Sequence, residues 1–101
     1  MIFVYITCSN NLGAQKISKT LLDKKLVACT NFFPIDSMYR WKGKLTKDKE
    51  YVLIAKTLQK NFNKIKKEVK KLHSYDVPCI LSWNIDRGNK AYIDWVKKQC
   101  S

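Results

Sequence analysis

Two extended runs of residues joined at Lys42-Gly43-Lys44 constrain this chain more than any other feature. Upstream stand Leu26-Val-Ala-Cys29-Thr-Asn31, Pro34 and Ser37-Met-Tyr39-Arg-Trp41. Downstream stands Glu50-Tyr-Val-Leu-Ile-Ala-Lys56-Thr57. Glycine takes a positive φ without steric cost, so the Lys-Gly pair closes the two runs into a β-hairpin. The expected strands are Ala28 to Trp41, with a bend or bulge at Pro34, and residues 49–57. Alternation puts Tyr51, Leu53 and Ala55 on one side of the return strand and Val52, Ile54 and Lys56 on the other.

The remaining pattern builds a frame around that hairpin. Residues 2–7 are apolar up to Thr7, as in a strand buried on both faces. Ser9-Asn10-Asn11 supplies N-cap chemistry for a helix over about 11–25, with Ala14, Ile17, Leu21 and Leu22 at helical spacing. Phe62, Ile65, Val69 and Leu72 recur every three or four residues and mark a second helix over about 60–72. Val77-Pro78 forces extended backbone into a fourth strand over 79–85. Arg87-Gly88-Asn89 then turns into a short last helix bearing Tyr92, Trp95 and Val96.

The order β-α-β-β-α-β plus a small helix predicts one α+β domain over 1–101, a ferredoxin-like sandwich with two helices on one face of a four-stranded antiparallel sheet. The central strands outrun their partners and leave Phe32, Phe33, Tyr39, Trp41 and Tyr51 near solvent. Apolar aromatic patches of that kind mark interfaces.

Charge and cysteines bound the function. The formal net charge is +12, carried almost wholly by lysine, with arginine only at 40 and 87. The densest run, Lys60 to Lys71, is also the outer face of an amphipathic helix, so a solvated face is expected there and not a nucleic-acid site. No apolar run approaches the ~20 residues of a membrane span, and Met1 to Ile6 lacks the basic flank of a signal peptide. No membrane partner and a cytoplasmic location are expected. Cysteines 8, 29, 79 and 100 form no Cys-x-x-Cys pair and should be free thiols, Cys29 buried and Cys100 at a frayed end. With three glycines, no phosphate loop and no nucleophile elbow, the chain is not expected to be an enzyme.

Thr7, Ala14, Leu26 to Asn31, Pro34, Ser37, Tyr39, Trp41, Gly43-Lys44, Lys56-Thr57, His73-Ser-Tyr75-Asp-Val-Pro78, Gly88, Tyr92 and Trp95 together resemble the CutA family of divalent-cation tolerance proteins. The resemblance covers nearly the whole chain. It implies the ferredoxin-like fold and a compact homotrimer, built by edge-to-edge pairing of the long hairpins and similar to the PII signalling proteins. It also implies a part in tolerance of divalent cations, notably copper, by binding or regulation and not by catalysis. Two positions depart from the family pattern: Ser74 stands where the family has proline, and Cys79 where it has glutamate. A thiolate there favours Cu or Zn over Mg. Three copies would carry three times +12, or +36, which opposes cation storage.

The candidate residues follow. Lys56, Trp41, Tyr75 and His73 would hold a small, anionic ligand. Phe33, Tyr39, Trp41, Tyr51 and Trp95 would pack the trimer interface. His73 with Cys79 would hold any divalent metal. Blander readings compete. His73 also suits a helix C-cap, and Lys56 a pairing with Glu50 or Asp76. A PII-like signalling trimer with no metal role is the first alternative. An RNA-binding ferredoxin-like domain is the second, and its third-strand motif is missing from Glu50 to Thr57.

Overall fold

The computed structural model describes residues 1–101. Strands β1 (Ile2–Cys8), β2 (Cys29–Trp41), β3 (Lys44–Thr57) and β4 (Ile80–Asn84) form one sheet in the order β2-β3-β1-β4. Helices α1 (Asn11–Asp23), α2 (Phe62–Leu72) and α3 (Lys90–Gln99) complete the fold, with a 3-10 turn at Gln59–Asn61 leading into α2. All strand pairs are antiparallel. This is the ferredoxin-like α+β sandwich expected from the element order.

Side-chain alternation divides β1 cleanly. Ile2, Val4, Ile6 and Cys8 are buried, while Phe3, Tyr5 and Thr7 are half-buried. The strand is therefore apolar on both faces but covered on only one. Onto the covered face pack Ala14, Ile17 and Leu21 from α1, Ile65 and Val69 from α2, and Leu53 and Ala55 from β3. Leu22, expected in the α1 stripe, is exposed instead.

Helix α1 starts where Asn10, in extended conformation, accepts the Gly13 N–H at 2.8 Å. It ends two residues before the expected boundary. Lys25 adopts φ 57°, and the amides of Lys25 and Leu26 donate back to Leu22 and Leu21, each at 3.0 Å. That is a Schellman closure with lysine where glycine usually sits.

The hairpin departs from expectation in two ways. First, β3 begins at Lys44 and not at 49, because Lys42 (φ 51°) and Gly43 (φ 77°) make a two-residue turn and pairing resumes at once. Second, Pro34 makes no bulge. The register runs unbroken from Cys29 opposite Lys56 to Trp41 opposite Lys44. Proline is tolerated because β2 is an edge strand. The hairpin strands are 13 and 14 residues long, against 7 in β1 and 5 in β4. Beyond Tyr51, where pairing with β1 stops, a two-stranded ribbon projects alone. It stretches the molecule to 46 × 27 × 21 Å.

The C-terminus is pinned, not frayed. The Ser101 amide donates to the Lys25 carbonyl at 2.9 Å, and half-buried Cys100 places its Sγ 3.7 Å from Thr57 Oγ1. Thr57 and Asn61 both donate to the Leu26 carbonyl, at 2.5 and 3.1 Å. This buried polar knot ties β3, α2 and the α1–β2 turn together. Cys29, expected to be buried, is half-exposed.

Candidate functional site

The sheet face turned away from α1 and α2 carries the chemistry. Alternation places Glu50, Val52, Ile54 and Lys56 of β3 on it, beside Phe3, Tyr5 and Thr7 of β1. Two separate clusters form on this face, one at each end of the β1–β3 pairing.

The first surrounds Lys56. Its Nζ lies 5.5 Å from the Tyr92 ring centroid and 6.0 Å from that of Phe3. Phe3 meets Trp83 edge-on at 5.6 Å, and Tyr92 meets Trp95 at 5.6 Å. The expected pairing of Lys56 with Glu50 or Asp76 does not occur; none of the ion pairs in the chain involves Lys56. Glu50 lies six residues away along the same strand, about 20 Å in extended chain. The ammonium rests instead against aromatic faces, whose negative quadrupole attracts it.

The second cluster gathers where β1 ends. His73 closes α2, its backbone N–H donating to the Val69 carbonyl at 2.8 Å. Both ring nitrogens are also engaged. Nδ1 accepts the Tyr75 N–H at 3.1 Å, which leaves Nε2 as the protonated nitrogen, donating to the Thr7 carbonyl at 2.6 Å. The Tyr75 hydroxyl donates to Glu50 Oε2 at 2.6 Å. Glu50 is 8% exposed and has no cationic partner in the chain. Burial and then the Glu50 hydrogen bond push the Tyr75 phenol well above its usual range. Burial, followed by the charge of Glu50, raises the Cys8 thiol to about 11, so Cys8 is a neutral, inert thiol.

Thr7 also joins Cys79 to this cluster, its amide donating to the Cys79 carbonyl at 3.4 Å. The Cys79 backbone thus meets the same residue, Thr7, that His73 bonds, while the Cys79 thiol makes no hydrogen bond to His73 or Tyr75. The set does not fit a metal centre within one chain. No group of three or more His, Cys, Asp or Glu side chains is assembled anywhere. His73 has no free lone pair unless one hydrogen bond breaks.

The other candidates are scattered. Trp41 is 62% exposed at the ribbon tip, about 40 Å of extended strand from Lys56, and does not meet it. Tyr39 lies on the ribbon, its hydroxyl donating to Asp48 at 3.3 Å. Phe33 is exposed on the open face. Tyr51, expected at an interface, turns to the helix side and packs on the chain's own core. Trp95 belongs with Tyr92 on α3 and not with the hairpin. Sequence reasoning missed Glu50 as a centre in its own right. Its signal was a carboxylate directly before the apolar run Tyr51 to Ala55.

Comparison with known proteins agrees with this architecture. The family described as CutA1 divalent ion tolerance protein matches residues 2–99. The divalent-cation tolerance protein CutA of Archaeoglobus fulgidus is 45% identical over 94 residues, covering 93% of this chain and 92% of that protein. The crystal structure of CutA1 from Pyrococcus horikoshii superposes with a TM-score of 0.96 at 37% identity, covering 100% of this chain and 99% of that one. The CutA1 structure from Thermus thermophilus gives 0.95 at 39% identity over the full length of both chains. On sequence and fold together, this chain belongs to the CutA1 divalent ion tolerance family.

Proposed function

We propose that the chain works as a homotrimer in divalent-cation tolerance, by binding or regulation and not by catalysis. The observation that carries this reading is the lone ribbon. From Lys44 to Glu50 one edge of β3 has no partner, and β2 is an open edge throughout. Unpaired edges of that length recruit other strands. Exposed Met38, Tyr39 and Trp41 line the same ribbon, and exposed Phe33 stands on β2 just before it. Copies pairing there would cover both the edges and the aromatics, in the PII-like manner.

In that assembly a copper or zinc ion would sit at a boundary between copies, using the Cys79 thiolate and His73 with donors from a neighbour. One chain offers too few donors by itself. Binding is therefore weak, and favours soft ions. A non-catalytic role is supported by the engagement of both His73 ring nitrogens and of the Tyr75 hydroxyl in hydrogen bonds within the chain. The free state of all four thiols suits a reducing cytoplasm. No helix is long and apolar enough to cross a membrane.

Calorimetric titration with Zn and Cu tests the site. The expected result is weak binding, lost in Cys79→Ser and in His73→Ala and weakened as pH falls, since thiolate and neutral imidazole must form. Tight binding unchanged by both substitutions contradicts it. A second reading rests on Lys56: a half-buried ammonium with no carboxylate would accept a small anionic ligand. Anion binding abolished by Lys56→Met with no effect of metal favours that alternative.

A further inference from the structure

The charge of this chain is not spread evenly. Residues 11–25 and 59–72, the helical layer, hold ten lysines against two carboxylates, so +8 of the net +12 lies on one side of the molecule. Both carboxylates are already engaged. Asp23 pairs with Lys19 at 3.0 Å. Glu68 is held by Lys24 at 3.1 Å and Lys71 at 3.4 Å, which lowers its carboxyl below the usual range, chiefly through the Lys24 hydrogen bond.

On α2 the surplus is ordered. Lys64, Lys67 and Lys71 recur at i, i+3 and i+7 and share one exposed face, and Lys60 extends the row from the turn before. Lys60, Lys64 and Lys67 have no acidic partner. The row spans about 16 Å with a charge about every 5 Å. Like charges three and four residues apart repel and weaken a helix. Buried Ile65 and Val69 on the opposite face anchor α2 in place despite that repulsion. A linear anion lying along the row would turn the repulsion into attraction.

We propose that this row binds inorganic polyphosphate. A line of point charges matches a flexible phosphate chain, and the row carries neither arginine nor an exposed aromatic ring. Both arginines lie outside the helical layer. The one aromatic ring on α2, Phe62, is half-buried with the Lys66 ammonium 6.0 Å from its centroid, so it offers no stacking platform. The row lies on the helix side, away from the open sheet face, and its Lys60, Lys64 and Lys67 stand six residues or more before His73 and Cys79 in sequence.

Titration of the full-length protein with length-fractionated polyphosphate at about 0.15 M salt tests this. Binding is expected to fall about tenfold or more when Lys60, Lys64 and Lys67 are all changed to Gln. The slope of log K against log salt should fall by about 3, roughly one per lysine neutralised. Changing Arg87, Lys97 and Lys98 to Gln removes the same charge elsewhere and should leave affinity within about twofold. Melting curves confirm that both variants fold. Equal losses in the two variants would reduce the effect to bulk charge and overturn the proposal. So would absence of binding at that salt, or equal affinity for single-stranded RNA or acidic vesicles at matched phosphate.

Discussion

Glu50 and Tyr75 are the residues on which the second cluster turns. A carboxylate 8% exposed keeps its place because one hydroxyl donates to it at 2.6 Å. Tyr75→Phe removes that donor and leaves the charge buried without compensation, so it should cost about 1–3 kcal/mol in urea unfolding. In a Glu50→Leu background the same change should cost much less, because no charge remains to be satisfied. Equal costs in both backgrounds would show that the hydroxyl acts through something other than Glu50. His73 stands differently. Its identity was legible as both a cap and a candidate ligand, and the structure gives it the capping role plus two ring hydrogen bonds. The ring bond to Thr7 joins residues 66 apart in the chain, so no local pattern announces it.

At the scale of elements, what periodicity could show was shown. The α2 stripe, with Ile65 and Val69 buried and Phe62 and Leu72 packed beside them, follows from spacing alone. The ribbon half of the hairpin did not follow. Thr46-Lys-Asp-Lys49 has no apolar alternation because neither face of a projecting ribbon is buried by its own chain. The Pro34 bulge failed because the sequence cannot say which strand is at an edge. Helix α1 ended early because Lys25 closes it in a left-handed conformation. For an L-residue that conformation costs about 1–2 kcal/mol, and glycine is free of it. Lys25→Gly should therefore stabilise the fold by about 1 kcal/mol after the greater unfolded-state entropy of glycine is deducted. Thermal or urea melts read this directly, and a loss of stability would mean that the lysine makes a compensating contact.

As a whole molecule the chain is a covered core with an uncovered half. Helices α1 and α2 seal one sheet face; the other, partly covered where Tyr92 of α3 meets Lys56 and where Val52 and Glu50 are buried, still shows Phe3, Tyr5 and Trp83, and the ribbon runs on without neighbours. The open candidate residues fall on that uncovered half. Lys56 and the cluster of His73, Tyr75 and Glu50 are two half-sites far apart within one chain. Within one chain neither half-site reaches Trp41. The proposed trimer completes each chain with its own kind. Multi-angle light scattering on purified protein, over a dilution series, measures this most directly. A mass of three times the 11.9 kDa chain, about 36 kDa and constant on dilution, is the predicted result. A single-chain mass of 11.9 kDa across the same series would contradict it.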